Sequence, residues 1–168
     1  NRLPRIARRM HDIAPFHVME LLTRARELEA AGRSIIHMEV GEPDFPTPDH
    51  VIEAAHRAML AGQTRYTTVS GTAELKTAIA EKFRRENGLD YKADEIMVGV
   101  GGKQVLFNAL LATVEAGVAV IIPAPYWVSY PDMVLMADAR PVIVPAGIEQ
   151  GFRLEAEQLE AAITPKTR

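Results

Sequence analysis

Residues 95–111 read EIMVGVGGKQVLFNALL, and the rest of the chain is organised around this stretch. The apolar run at 95–98 predicts a short buried strand. Three glycines follow it and let the backbone turn and expose its amide groups: Gly99, Gly101 and Gly102. After them the apolar residues recur at the spacing of a helical stripe. A helix that starts after a glycine turn presents unpaired N–H groups and the positive end of its dipole, so we predict that a phosphate binds here.

Two familiar phosphate-binding motifs do not fit this turn. A P-loop would need a serine or threonine after Gly102-Lys103, where this chain has Gln104. Gln104 also stands at the third glycine position of the dinucleotide fingerprint. Moreover, the next predicted strand, at 118–122, ends in Pro-Ala-Pro and offers no acidic residue for a ribose. A tight strand-to-helix turn that binds no ligand therefore stays open as an alternative on these residues alone.

The composition indicates an ordinary soluble domain. The chain has 168 residues, 48% hydrophobic and 24% charged, and a formal net charge of −3. This charge favours neither nucleic acid nor an anionic membrane as a partner. The absence of cysteine excludes disulfides and is compatible with a cytoplasmic location. No apolar run approaches the length of a membrane span of about 20 residues, and the basic N-terminus is not followed by the apolar core of a secretory signal.

Hydrophobic periodicity and turn residues predict alternating helices and strands. Helices are expected at 15–32, from Pro48 (with Thr47 as N-cap) to Gly62, at 72–87, from Lys103 to Gly117, at 128–139 and at 155–163. Strands are expected at 34–40, 95–98, 118–122 and 141–144, and a further strand is expected where the sequence stops. This order is typical of a parallel α/β sheet with helices on its faces. Ligands of such sheets bind beyond the carboxyl ends of the strands, where both the glycine turn and residues 123–127 are predicted to lie.

Three further residues are candidates for a site, each with a structural alternative. Gly41 begins the proline-rich segment GEPDFPTP, which is either a stiff connector or a place where a backbone N–H stays open to a ligand. Tyr66 is the single tyrosine of a polar loop and could serve packing or binding. Trp127 follows a strand end and could plug the core or stack on a flat ligand ring. No metal site is predicted, because the histidines show no metal-ligand spacing: His11, His17, His37, His50 and His56.

Four motifs in this order resemble the N-terminal part of aspartate aminotransferase-like enzymes, the class I/II aminotransferases of fold type I, which depend on pyridoxal 5′-phosphate. They are GEPDFPTP at 41–48, RYTTVSGTAEL at 65–75, VGGKQVLFNAL at 100–110 and PAPYWVSYPDMV at 123–134. The resemblance implies the three-layer pyridoxal-phosphate transferase fold, a mostly parallel sheet flanked by helices, which would be incomplete in this chain. Residues 1–45 would form the N-terminal arm, helix and short strand of a small domain. Residues 46–168 would form the first part of the large cofactor-binding domain, in an enzyme that forms homodimers.

The resemblance also implies roles for individual positions. Four residues match the loop that holds the cofactor phosphate: Gly101, Gly102, Lys103 and Gln104. Trp127 matches the aromatic residue that stacks on the cofactor ring and borders the substrate, and Tyr66 matches the tyrosine that reaches the phosphate of the neighbouring subunit's cofactor. Gly41 matches the glycine whose N–H meets the substrate carboxylate. The charge of Lys103 adds the hypothesis that this residue attracts a second carboxylate and favours acidic substrates such as aspartate.

The resemblance implies an amino-group transfer between an amino acid and a 2-oxo acid. The Schiff-base lysine of the family would lie beyond Arg168, so no catalytic residue is assigned and the 168-residue chain is expected to be inactive alone. Three alternatives stay open: a β-lyase of the same fold, a non-catalytic pyridoxal-phosphate-binding module such as the sensor half of a transcription regulator, and a free-standing phosphate-binding domain.

Overall fold

A computed structural model describes residues 6–168, so the first five residues of the predicted N-terminal arm lie outside the described part. The α-helices described in this range are α1 (His17–Ala30), α2 (Asp49–Leu60), α3 (Ala73–Lys82), α4 (Gly102–Thr113), α5 (Ser129–Met136) and α6 (Ala156–Ala162). The strands are β1 (Ala119–Ala124) and β2 (Arg140–Pro145). Short 3₁₀ turns lie at Arg8–His11, Ala93–Glu95 and Ile148–Gln150, and a π-helical turn at Phe83–Asn87 extends α3.

The contacts within the chain divide it into two units. The sheet unit consists of Asn1–Gly41 and Leu106–Arg168, and the loop unit consists of Glu42–Val105. The sheet unit contains both strands with α1, α5 and α6, whereas the loop unit contains α2 and α3. The division falls within α4, just after its first turn.

In the sheet unit, β1 and β2 pair in parallel, with Ala119 opposite Arg140 and Ala124 opposite Pro145. The connection between them is α5, as the alternation of strand and helix predicted. A parallel bridge also joins Ala119 to Thr167, because Ala119 exchanges backbone hydrogen bonds with Lys166 (2.8 Å) and Arg168 (3.0 Å). The expected further strand therefore begins to pair with β1 at the last residues of the sequence.

The core of the sheet unit lies between β1, α4 and α5. Ile122, Val134 and Ala139 are buried together, and partly buried side chains from α4 and the start of β1 pack against them: Leu110, Val114, Val118 and Val120. Val134 is the most buried of the large side chains, with 1% of its surface exposed. Since burying such a side chain contributes about 1.5–3 kcal/mol, this cluster holds the helices on the sheet.

In the loop unit, α3 begins and ends as the sequence predicted. The Thr72 side chain caps the helix by accepting a hydrogen bond from the Leu75 N–H at 3.3 Å. The helix continues through its π-helical turn to Gly88, whose φ of +67° is the left-handed conformation that stops a helix. Phe83 packs edge to face on Tyr91, with 5.9 Å between the ring centroids. This contact ties the end of the helix to the segment that leads to the glycine turn.

Two predicted strands are wrong. Residues 34–40 form no strand, and the side chains of Ile36 and Met38 are 86% and 87% exposed. Residues 95–98 form the end of a 3₁₀ turn and an extended segment, whose Val98 N–H donates to the Ser70 carbonyl oxygen at 3.0 Å. Both segments have the composition of a strand, but neither has a neighbouring strand within residues 6–168, and a strand exists only where its backbone groups are paired.

The remaining differences concern element ends. Thr47 was predicted as the N-cap of α2, but the helix begins at Asp49 with Pro48 in the cap position and no capping side chain. Helix α4 begins at Gly102, one residue before the predicted start. Strand β1 runs through Pro123 and Ala124, beyond its predicted end, because these residues remain in register with Val144 and Pro145 of β2.

Candidate functional site

The segment from Gly99 to Gln104 forms a compact turn, here called the glycine turn. Gly101 has a φ of +83°, a left-handed conformation that costs other residues strain, and its N–H donates to the Gly99 carbonyl oxygen at 3.0 Å. The Gln104 side chain folds back so that Oε1 accepts a hydrogen bond from the Val100 N–H at 2.5 Å. Helix α4 therefore starts from a turn that its own first residues hold in place.

The glycine turn is closed on one side and open on the other. A Cβ at Gly99 would lie 2.7 Å from Val105 Cγ2 and 3.1 Å from Gln104 Oε1, so only glycine allows the chain to pack this closely on the helix. A Cβ at Gly101 or Gly102 would meet no atom within 4 Å. The open side gives a ligand room to approach the backbone of these two residues.

The electrostatics of the open side favour an anion. The first turn of α4 contains no acidic residue and carries the exposed Lys103. The first N–H groups of a helix have no acceptor within it, and the aligned peptide dipoles place partial positive charge at this end. A phosphate group that approaches Gly101 and Gly102 would therefore meet backbone donors and a cationic side chain together, and the residues present fit a phosphate-bearing cofactor.

Tyr66 lies in the same unit as the glycine turn, in a loop whose residues 61–69 are all exposed. Its side chain is fully exposed. The far end of the loop is anchored at Ser70, which accepts a backbone hydrogen bond from Val98, the residue before Gly99. Ser70 in turn accepts a hydrogen bond from Lys76 Nζ at 3.1 Å. The structure thus joins the tyrosine loop to the start of the glycine turn.

Sequence reasoning did not single out Ser70 or Lys76. Ser70 belongs to the motif RYTTVSGTAEL, in which Tyr66 is the predicted site residue, and Lys76 follows directly after the motif. The spacing from Ser70 to Lys76 is the sequence feature that could have indicated this pair. It spans the start of a capped helix, and a side chain in the first turn of such a helix can reach back to the preceding loop. The partner of this pair, Val98, lies too far along the chain for sequence spacing to indicate it.

The other two candidates lie in the sheet unit. Trp127 follows the carboxyl end of β1, is 48% exposed, and accepts a hydrogen bond from the Tyr130 N–H on its carbonyl oxygen at 3.0 Å. Gly41 is exposed, and a Cβ there would meet no atom within 4 Å. Trp127 thus occupies the strand-end position at which α/β sheets bind ligands, as predicted.

A histidine between two carboxylates stands apart from these candidates. The Nδ1 atom of His37 lies 2.6 Å from Glu39 Oε1, and Nε2 lies 3.0 Å from Glu29 Oε1. The hydrogen bond to Glu39, followed by that to Glu29, raises the pKa of His37, and the same bond lowers the pKa of Glu39. Within residues 6–168 no group of three such side chains is arranged to hold a metal ion, and no helix is long and apolar enough to cross a membrane.

One protein family and several known proteins match this chain. The model of the family described as aminotransferase class I and II matches residues 33–168. The chain belongs to this family. The match includes the glycine turn, the tyrosine loop, Gly41 and Trp127. Aminotransferases of class I and II depend in general on pyridoxal 5′-phosphate, a cofactor whose phosphate suits the open side of the glycine turn.

Individual relatives are similar over nearly the whole chain. An aspartate/prephenate aminotransferase of Cereibacter sphaeroides is 59% identical over 156 residues, which are 93% of this chain and 39% of that protein. The crystal structure of the aspartate aminotransferase of Rhizobium meliloti matches with a TM-score of 0.93 and 49% identity, over 98% of this chain and 41% of that one. The aspartate aminotransferase of Thermus thermophilus, solved with maleate, matches with a TM-score of 0.92 and 44% identity, over 99% of this chain and 44% of that one.

These comparisons show which fold the chain shares and how much of its relatives' length it covers. The parallel sheet flanked by helices is part of the α/β fold of the aspartate aminotransferases, as predicted. The chain spans about two fifths of the length of the relatives it matches.

Proposed function

We propose that the complete protein containing this chain is a pyridoxal-phosphate-dependent aminotransferase that moves an amino group between an amino acid and a 2-oxo acid. The observation that carries the proposal is the glycine turn at the start of α4, with its open, cationic side, in a chain that belongs to the class I and II aminotransferases. The printed names of the relatives, aspartate aminotransferase and aspartate/prephenate aminotransferase, favour aspartate as an amino donor.

In this proposal the glycine turn binds the cofactor phosphate. Gly101 supplies the left-handed turn, the backbone N–H of Gly102 donates to a phosphate oxygen, and the dipole of α4 stabilises the negative charge of the phosphate. Gln104 holds the turn closed through its bond to the Val100 N–H. Lys103 adds a positive charge at the same end of the helix. These residues bind and orient; none of them is proposed to take part in a covalent step.

Two aromatic residues, Trp127 and Tyr66, have separate proposed roles toward the cofactor. Trp127 stacks on the cofactor ring, for which its half-exposed indole at the end of β1 is suited. Tyr66 reaches the cofactor phosphate of a neighbouring subunit, so the complete protein is proposed to be a homodimer. Full exposure of the Tyr66 side chain supports this role, because a large aromatic residue exposed in a loop is accessible to a second chain.

The proposed substrate contacts come from Gly41 and Lys103. The exposed N–H of Gly41 binds the substrate carboxylate, and the open space at its Cα position leaves room for it. Lys103 attracts the second carboxylate of an acidic substrate. When bound, pyridoxal phosphate supplies the electron sink that the transfer needs. Residues 1–45 are assigned to the small domain and 46–168 to the large domain of the complete protein, and its location is proposed to be cytoplasmic.

The proposal is tested by cofactor binding and product analysis with the complete protein. We expect pyridoxal phosphate to bind more tightly than inorganic phosphate, and aspartate with a 2-oxo acid to give a new amino acid in stoichiometric amount. Release of ammonia instead would indicate an elimination enzyme. Binding without any turnover would indicate a non-catalytic module, and equal affinity for inorganic phosphate would indicate a simple phosphate-binding domain.

The substrate role of Lys103 is tested by Lys103→Ala. Loss of a positive charge beside the second carboxylate should raise KM for aspartate about tenfold, the loss expected for a charged hydrogen bond, and leave KM for a neutral amino acid within a factor of two or so. Lys92→Ala is the matched control, since Lys92 is an exposed lysine of the same unit whose capping contact uses its backbone N–H. Equal changes of KM for both substrates would contradict the role.

A further inference from the structure

A chain of contacts links α3 to the glycine turn. Lys76 Nζ donates a hydrogen bond to Ser70 Oγ at 3.1 Å, and the Ser70 carbonyl oxygen accepts one from the Val98 N–H at 3.0 Å. Val98 directly precedes Gly99. Ser70 therefore uses its side chain to hold the helix and its backbone to hold the entry of the glycine turn, and these three residues are called the Ser70 brace.

The brace is the buried end of an otherwise exposed loop. Residues 61–69 are exposed, whereas Ser70, Lys76 and Val98 are all partly buried. A hydrogen bond shielded from water is stronger than an exposed one, because water competes less for its donor and acceptor. The Lys76 amine forms no ion pair within residues 6–168, so this amine is directed to Ser70 and not to a carboxylate.

Gly71 shows how closely the brace is packed. Its φ is +100°, and a Cβ there would lie 2.8 Å from Val98 Cγ2 and 3.0 Å from Val98 Cβ. Thr68 Oγ1 also donates to the Gly71 carbonyl oxygen at 2.5 Å, which closes the loop just before the brace. The backbone at 70–71 and the side chain of Val98 thus determine each other's positions.

We propose that Ser70 and Lys76 are positioning residues for the glycine turn, and that they also set the position of the tyrosine loop relative to it. The inference rests on the proposed function, because it assigns these residues to the shape of the proposed phosphate site. Neither side chain touches the phosphate in this scheme. They act through Val98, whose backbone position determines where Gly99 begins to turn, and through the loop end from which Tyr66 extends.

The roles of the two side chains differ. Lys76 supplies a donor that orients the Ser70 hydroxyl, and through it the Ser70 backbone, on the surface of α3. Ser70 supplies the carbonyl oxygen that receives the Val98 N–H, and Ala or Thr in its place would keep that carbonyl. Ser70→Ala therefore removes the tether to the helix and leaves the backbone bond possible, whereas Lys76→Met removes the donor and retains most of the side-chain volume.

The test measures cofactor affinity and amide exchange in the complete protein. The variants are Ser70→Ala and Lys76→Met, with Lys76→Arg as the conservative change that retains a donor. Lys82→Met is the matched control, because Lys82 lies on the same helix but contacts exposed partners, Asn87 and Glu86. The readouts are the Kd of pyridoxal phosphate, hydrogen exchange of the Val98 amide, and exchange of amides in α5 as a reference for global stability.

We expect Ser70→Ala and Lys76→Met to raise the Kd about three- to tenfold, which corresponds to the loss of one hydrogen bond, and to speed Val98 exchange relative to α5. Lys76→Arg should restore most of the affinity, and Lys82→Met should change neither readout. If Ser70→Ala is too unstable to purify, the comparison of Lys76→Met with Lys76→Arg decides: a raised Kd in Lys76→Met alone supports the brace, and wild-type affinity in both overturns it.

Three outcomes would overturn the inference in distinguishable ways. If the wild-type protein binds pyridoxal phosphate and both variants bind it equally well with unchanged Val98 exchange, the brace does not position the site, and the proposed function stands. If the wild-type protein does not bind pyridoxal phosphate, the proposed function and the inference both fail. An equal loss of affinity in Lys82→Met would assign the effect to α3 as a whole and would also overturn the inference.

Discussion

At the scale of single residues, the glycine turn depends on one backbone conformation. Gly101 has a φ of +83°, whereas neighbouring Gly102 already belongs to α4, and a Cβ at either position would meet open space. Steric crowding therefore does not distinguish the two glycines, but backbone strain does. An L-residue in the left-handed region is disfavoured by about 1–2 kcal/mol, and in a helix alanine is favoured over glycine.

This difference gives a matched pair of substitutions. We expect Gly101→Ala to lower the free energy of unfolding by about 1 kcal/mol, whereas Gly102→Ala should leave it unchanged or raise it by a few tenths. Denaturant unfolding of the complete protein measures both changes. Equal destabilisation by the two substitutions would show that the left-handed conformation of Gly101 is not needed, and a stabilised Gly101→Ala would contradict the described turn.

At the scale of elements, His37 connects α1 to the segment that leads to Gly41. Its ring lies between Glu29 of the helix and Glu39 of the segment, and both contacts favour the protonated imidazolium. The pKa of His37 is raised above its ordinary value of 6.5, so its stabilising contribution is complete below 6.5 and is lost as the pH rises through the raised pKa.

The contribution of Glu39 has the opposite pH dependence. Its pKa is lowered from 4.5 chiefly by the hydrogen bond to His37, so this contribution is present above 4.5 and is lost as the pH falls through the lowered pKa. The connection between helix and segment is therefore expected to be strongest between these two ordinary values, when the histidine is charged and the carboxylate is ionised.

NMR titration of the His37 ring in the complete protein tests this connection. We expect the His37 ring to titrate with a midpoint above 6.5. The midpoint should fall further in Glu39→Gln than in Glu29→Gln and should not change in Glu27→Gln. The order follows from the distances, 2.6 Å to Glu39 and 3.0 Å to Glu29. Glu27 is the control because its carboxylate bonds Arg24 on the same helix. A midpoint at or below the ordinary value would contradict the arrangement.

At the scale of the whole molecule, the 168-residue chain exposes apolar side chains that are typical of interior positions. Ile36 and Met38 are 86% and 87% exposed, and in the loop unit Met97 is 61% exposed. The segments that carry them, residues 34–40 and 95–98, have strand-like sequences and pair with no strand within residues 6–168. Exposed strand-like segments of this kind promote association.

We therefore expect a polypeptide of these 168 residues to self-associate at micromolar concentration. The double substitution Ile36→Lys and Met38→Lys should reduce the association, because charges on an exposed strand-like segment oppose pairing with a second chain. The control is Val69→Lys with Ile148→Lys, which adds the same charge at exposed apolar residues outside the segment. Light scattering over a concentration series measures the effect. A monomer at all concentrations, or an equal effect of the control, would contradict the prediction.

The helices, the glycine turn and the parallel pair of strands β1 and β2 could be predicted from the sequence alone. Helix α3 shows why: its cap at Thr72, its apolar spacing and its stop at Gly88 all act within a few residues, since helical hydrogen bonds span four positions. The candidate residues of the site were found because they stand in such local motifs. The pairing of β1 with β2 was also predictable, because a short helix connects two apolar runs.

Which strand-like segments pair, and which distant side chains come into contact, depends on the tertiary structure. Within the described residues 6–168, segments 34–40 and 95–98 pair with no strand, and their local composition does not indicate whether a neighbouring strand is present. Likewise, the bond from Val98 to Ser70 and the 2.7 Å ion pair of Arg9 with Asp138 join residues far apart in the chain. The physical reason is the same in each case: a helix satisfies its own backbone, whereas a strand or a long-range contact exists only when another part of the molecule is brought to meet it.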